Sequence, residues 1–334
     1  MNQQTKFIKR VAAKTEPVLE FMRDVSYGLS RKNKKIESKY FYDDQGSQLF
    51  NTITRHPDYY LTRCELEILS TYKKDIARIF LDQQINIVEL GPGEGIKTTI
   101  LLDEFMQHPL AFTYYPVDIS KKYLQDLKLN LVVKWPKLEV RPIHGDYLEG
   151  IQWLIRQDNH KNLVIFLGSS IGNFTVAAAN QFLKQIGMLL NHGDYVLIGF
   201  DLRKDINTLL SAYNDSDGVT RQFNFNLLHR MNYELNADFK LGEFEHTGVY
   251  NSVRGAMESY LLSRKKQTVY IEGLHQRIGF DLQEPIHLEY SHKYILPQIV
   301  ALAKKNNFNI VKHFMDSKHQ FVNALWQINK AGRN

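Results

Sequence analysis

The residues best able to do chemistry crowd into one short run, Glu89-Leu90-Gly91-Pro92-Gly93-Glu94-Gly95. The β-branched stretch before it, Ile85-Asn86-Ile87-Val88, predicts a strand. The glycines predict a turn that needs positive φ or lets a ligand press against the backbone. A helix over about 96–106 would aim its N-terminal amides into that turn. This is the layout of a nucleotide-type site at the first strand of an α/β sheet. Acids recur at the next strand ends: Asp118 closes the run Phe112–Val117, and Asp146 with Tyr147 follows the run Leu138–Ile143. The first is placed to hold a ribose and the second to meet an adenine amine. Singly, each acid is equally well a solvated strand end; their succession favours the ligand.

The glycine spacing separates nucleotide classes. A dinucleotide fold uses G-x-G-x-x-G, whereas here Gly91, Gly93 and Gly95 alternate, with Glu89 two residues ahead of the first. That pattern resembles the first motif of class I S-adenosylmethionine (SAM) methyltransferases.

Other candidates lie outside the turn. The fourth apolar run, Leu163–Leu167, leads into Gly168-Ser169-Ser170-Ile171-Gly172-Asn173-Phe174. The carboxyl ends of such strands face the ligand crevice, and Asn173 offers both a donor and an acceptor. It serves equally as an N-cap for the following helix. The aromatic, turn-rich segment holding Tyr42, Phe50 and Tyr59 reads either as core rings or as the wall of a small-molecule site. In the strand around Tyr290, alternation sends Glu289 and Ser291 to one face. There they form a polar surface or a grip for a ring N–H or an ammonium.

Positioning these residues requires a doubly wound sheet. Helices over about 120–132, 151–156 and 176–190 alternate with strands at 138–143, 163–167 and 195–200, and near-continuous apolar strands indicate a sheet covered on both faces. The alternation breaks after Asp201. A helix at 223–235 and period-2 strands at 256–263, 268–272 and 287–294 read as an insertion. A helix at 297–306 and strands at 310–316 and 321–328 close the sheet. The expected division is 1–60 and 202–290 for a second α+β lobe, and 61–201 with 291–334 for the nucleotide-type domain.

With 334 residues, 43% hydrophobic, the chain can bury a large core. The lone cysteine, Cys64, excludes an intrachain disulfide and fits a reducing, cytoplasmic compartment. No run approaches the roughly eighteen apolar residues of a membrane span. The net charge of +6 is mild and demands no nucleic-acid partner. Lys6, Lys9, Arg10 and Lys14 read as a solvated basic arm, with a transit peptide the alternative.

Taken together, the Tyr42…Gly46-Ser47…Leu49-Phe50…Tyr59-Tyr60-x-Thr62-Arg63 stretch, the glycine turn, Gly168–Phe174 and the Glu289/Ser291 strand resemble the histidine-specific Nα-methyltransferase family. These SAM enzymes make hercynine for ergothioneine synthesis, and the likeness runs from about residue 20 to the C-terminus. The resemblance implies a Rossmann-like class I fold with a second substrate lobe, no metal, a free amino acid as partner, and a monomer. It implies that Glu89, Gly91, Gly93, Lys97, Asp118, Asp146, Tyr147 and Ser170 surround SAM. Tyr59, Asn173 and Tyr213 would hold the α-carboxylate and amine beside Gly168, with Tyr59 and Asn173 as the catalytic pair. Tyr42 and Phe50 would help close the pocket, and Glu289 and Ser291 would read the imidazole. Where the histidine enzymes carry methionine, this chain has Ser259, which leaves extra space beside the side-chain pocket. Methylation of another aromatic amino acid or amine is the alternative, and nucleic-acid methylation or SAM binding without turnover the more distant ones.

Overall fold

The computed structural model describes residues 17–81, 83–108, 110–157 and 159–330; the basic arm lies outside them. The chain forms two units, one from residues 61–203 and 294–330, the other from 17–60 and 204–293.

The first unit is built on an eight-stranded sheet. Its order is Phe308–Met315, Phe321–Ile328, Tyr195–Asp201, Lys161–Phe166, Ile85–Leu90, Phe112–Asp118 and Glu139–Val140, with Ile143–His144 also pairing Phe112–Asp118. The strands from Tyr195–Asp201 to Glu139–Val140 are parallel, and the C-terminal hairpin adds antiparallel. Every residue of Ile85–Leu90 and of Tyr195–Asp201 is buried, as a sheet covered on both faces requires. Ile85–Leu90 pairs on one side with the strand after it and on the other with Lys161–Phe166. The winding therefore reverses there, and a crevice opens beyond its carboxyl end. Side-chain caps start the flanking helices: Ser120 accepts from the Tyr123 amide and Thr175 from the Ala178 amide.

The expected third strand is two fragments, because Pro142 has no N–H to continue the ladder. The helix expected over 151–156 begins earlier, at Tyr147, because Asp146 caps it and accepts from the Leu148 amide at 2.9 Å.

The second unit has a four-stranded sheet in the order Lys34–Lys35, Pro285–His292, Ala256–Ser263 and Phe244–Asn251, parallel at its first pair and antiparallel beyond. A separate hairpin joins Gln267–Ile271 to Gln276–Phe280. Its core is aromatic: Phe41 meets Phe223 at 4.7 Å, and Phe244 meets Phe280 edge-on at 5.4 Å. Helix Val219–Leu235 buries Phe223, Phe225, Leu228 and Met231 into it. Gly46 admits no side chain, since a Cβ there would lie 1.7 Å from the Phe41 carbonyl oxygen. Strand Phe244–Asn251 has no clean alternation to reveal it, and neither it nor helix Ile206–Tyr213 was expected. No helix of the described residues is long and apolar enough to cross a membrane.

Candidate active site

In the first unit the glycine turn follows Ile85–Leu90 directly. Gly91, Gly93 and Gly95 take φ of 67°, 55° and 71°, a region that side chains rarely adopt. A Cβ on Gly91 would lie 2.7 Å from the Tyr147 hydroxyl, and one on Gly95 2.4 Å from Leu127 Cδ1. Around Gly93 nothing lies within 4 Å of that position, so the crown of the turn is open. Gly95 opens helix Ile96–Met106, whose first amides face the turn.

Beneath the turn, Glu89 is buried and accepts hydrogen bonds from the Thr98 and Tyr114 hydroxyls. Burial pushes its carboxyl up to about 7 despite those donors. It thereby ties the strand to the helix after it and to the next strand. Asp118 is partly exposed at the end of Phe112–Asp118 and accepts from the Ser120 amide at 2.7 Å. The protein packed around it pushes its carboxyl up to about 6, against the backbone N–H groups that favour the charge. Burial likewise raises the Tyr147 hydroxyl, whose ring stands edge-on to Phe166 at 5.7 Å.

Glu65, on helix Tyr60–Arg78, drew no attention in the sequence. It is fully buried, accepts from the Gly168 amide at 2.8 Å and pairs with the Lys97 ammonium at 2.7 Å. One carboxylate thus fixes both the turn after the fourth parallel strand and the lysine beside it. Gly168 and Ser169 both take positive φ there. Ser169 accepts from the Asp201 amide, and Ser170 donates to the Leu167 carbonyl. The cap of the next helix is Thr175, not Asn173. The partly exposed Asn173 amide makes no hydrogen bond to a described residue and can offer a donor and an acceptor outward.

In the second unit Tyr42, Phe50 and Tyr59 come together. Tyr42 meets Phe50 edge-on at 5.5 Å, Phe50 meets Tyr59 at 6.4 Å, and Phe223, overlooked in the sequence, backs Tyr42 and Phe50 at 5.6 and 5.8 Å. The three predicted rings keep partly exposed faces, so they form a wall as well as a core edge. His56 holds the loop below Tyr59 by bonding the Asp58 amide and the Asp217 carboxylate, both at 3.1 Å.

Strand Pro285–His292 bulges between His287 and Glu289, after which Glu289 lies across from Ser259 and Ser291 across from Met257. Ser259 is buried at the centre, flanked on its other side by Gly248. Glu289 is partly exposed, yet enough protein surrounds it that burial pushes its carboxyl up to about 7, against the pull of Lys293. Ser291 is 4% exposed and accepts from the Tyr213 hydroxyl at 2.6 Å. Asn214 clamps the helix end behind Tyr213 by bonding both the amide and the carbonyl of Gly248. Lys293, a residue the sequence did not single out, is 2% exposed and donates to Tyr213 at 2.8 Å and to Ser291 at 2.9 Å.

A family profile described as "Histidine-specific methyltransferase, SAM-dependent" matches residues 21–328. The histidine N-alpha-methyltransferase of Mycolicibacterium smegmatis is 38% identical over 279 residues, covering 84% of this chain and 86% of its own. The protein of the same name from Mycobacterium tuberculosis is 36% identical over 283 residues, covering 85% and 87%. Ergothioneine biosynthesis protein 1 of Schizosaccharomyces pombe is 30% identical over 293 residues, covering 85% of this chain and 38% of its own. With the parallel sheet and its glycine turn, these matches define a SAM-dependent methyltransferase. Within that class the chain belongs to the histidine-specific methyltransferase family.

Proposed function

We propose that the chain transfers methyl groups from SAM to the α-amine of free L-histidine, ending at Nα-trimethylhistidine. The observation that carries this reading is the pairing of a carboxylate, Glu289, with a hydroxyl, Ser291, two residues apart past a bulge on one strand. An imidazole suits such a pair, whereas an apolar ring would leave a carboxylate in a protein-lined setting unsatisfied.

The open crown at Gly93 fits a bound nucleoside, as does the partly exposed Asp118 carboxylate at the adjoining strand end. Gly91, Gly93, Asp118, Asp146, Tyr147 and Ser170 would hold SAM, with Asp118 on the ribose hydroxyls. Glu89 would act from beneath the turn, and Lys97 through its pairing with Glu65. When bound, SAM supplies a methyl already activated by its sulfonium. The chain's own task is positioning, which accounts for much of the attainable rate. Asn173 and Tyr59 would orient the neutral amine and meet the α-carboxylate, with Gly168 bordering the site, while Tyr213 gives its one proton to Ser291 and would act there through that hydroxyl. Before each transfer the ammonium gives up one proton, and each methyl leaves its C–S electron pair with S-adenosylhomocysteine, so three rounds release three protons and three such products. The faces of Tyr42, Phe50 and Tyr59 tolerate the growing ammonium, because aromatic faces attract cations.

A second reading rests on Ser259. Its small side chain opposite Glu289 leaves room for another aromatic amino acid or a substituted imidazole. On the first reading the acceptor is a small molecule and not nucleic acid, and a monomer in the cytoplasm suffices. Incubating the protein with SAM and each of the common amino acids, then measuring product masses, tests the choice. Histidine should gain methyl groups in steps; a preference for tryptophan or phenylalanine would overturn the proposal.

A further inference from the structure

Lys293 is a long cation with 2% of its surface exposed, and a charge so buried needs partners. Its ammonium reaches Tyr213 Oη at 2.8 Å and Ser291 Oγ at 2.9 Å, and lies 4.6 Å from the centre of the Tyr213 ring. Tyr213 in turn donates to Ser291 at 2.6 Å. A serine hydroxyl has one proton to give and two lone pairs to fill. In Ser291 both lone pairs are filled, one by Tyr213 and one by Lys293, and the O–H is left to donate elsewhere.

We propose that Lys293 is a positioning residue for substrate recognition: it makes Ser291 a donor only and holds Glu289 as the acceptor beside it. The proposal rests on the reading that Glu289 and Ser291 meet the substrate ring. Donor and acceptor side by side select a neutral imidazole, whose bare nitrogen takes the Ser291 proton while its N–H goes to Glu289. An imidazolium presents N–H groups to both and meets Ser291 donor against donor.

The charged groups around Glu289 leave Lys293 as the one that acts on it. On the adjoining strand Glu258 projects from the opposite face to Ser259, where it pairs with Arg254 at 3.4 Å and accepts from the Tyr260 hydroxyl. On the edge strand the Lys35 ammonium lies 5.8 Å from the centre of the Tyr290 ring. Burial pushes His287 down to about 4 and lowers His292 as well, so neither is charged near neutral pH. Helix Ile206–Tyr213 contributes the Tyr213 hydroxyl. Without Lys293, Glu289 loses the cation that favours its charged form.

The experiment compares wild type, Lys293→Met and Lys293→Arg in full-length protein, with circular dichroism and SAM calorimetry as folding checks. For Lys293→Met, KM for histidine should rise at least about tenfold, more than kcat falls, with SAM affinity within about twofold. The acid limb of its kcat/KM profile should move to higher pH, and Lys293→Arg should return it to the wild-type position. The substrate's own ionisation is common to all variants and cancels. An unmoved limb with unchanged KM in Lys293→Met overturns the proposal, and so does failure of both variants to fold, which would make Lys293 purely structural. A wild type that leaves histidine unmethylated overturns the functional reading instead, so the two failures are distinguishable.

Discussion

The first unit presents its candidate cofactor site largely as backbone: three glycines at positive φ, the first turn of helix Ile96–Met106, and strand ends set by sheet order. Two of its charged side chains sit beneath, with Glu89 under two hydroxyls and Glu65 under the Gly168 amide, while Asp118 stands partly exposed at its strand end. The second unit presents side chains: aromatic rings from residues 42–59 and 223, a hydroxyl from residue 213, and Glu289, Ser291 and Lys293 from a single strand end. A backbone cradle is set by the shape of a shared nucleoside and tolerates side-chain change. A side-chain cluster can be retuned one residue at a time, and we propose the small Ser259, opposite Glu289, as the position where that retuning acts.

The comparison can be broken most visibly on the substrate. If Asn173 and Tyr59 grip a carboxylate and amine, histamine should show a kcat/KM at least about a thousandfold below that of histidine, because a site built for a polar group is left unpaired without it. Steady-state kinetics giving equal efficiencies would remove the amino-acid clamp. Next in size, Asp118→Ala should weaken SAM binding by about 1–3 kcal/mol, the scale of charge-assisted hydrogen bonds, with KM for histidine little changed. Calorimetry showing unaltered SAM affinity would refute the ribose contact.

How readily each site was read from the chain follows the same divide. Gly91, Gly93, Gly95 and Asp118 are local signals, because a turn and a strand end are encoded within a few residues of themselves. Ile85–Leu90, Ile96–Met106 and Phe112–Asp118 lie where their periodicity places them. Glu65 and Lys293 gave no such signal. Each acts across the fold, Glu65 on a residue 103 positions away and Lys293 on one 80 positions away. The bulge after His287 and the break at Pro142 are likewise settled by strand pairing.

The pH dependence of SAM binding sharpens the first half of the comparison. A carboxyl raised to about 6 is charged above that value and protonated below it, and a protonated Asp118 accepts the ribose hydroxyls poorly. SAM affinity should hold steady above neutrality and fall about tenfold per pH unit below about 6. A fall centred near 7 would point to Glu89 instead. The smallest effect concerns Ser259. Filling the space with Ser259→Met should leave histidine turnover nearly intact and raise discrimination against ring-methylated histidine by about fourfold, the ~0.8 kcal/mol of one buried methylene. Competition kinetics showing no change would place position 259 away from the ring.

The division of labour itself is tested most directly by Glu289→Ala, assayed for histidine kinetics and for SAM binding on the same preparation. Losing about 1.5–3 kcal/mol of charged hydrogen bonding should lower kcat/KM for histidine at least about tenfold while SAM affinity stays at the wild-type value. Unaffected histidine turnover, or a parallel loss of SAM affinity, would contradict the account.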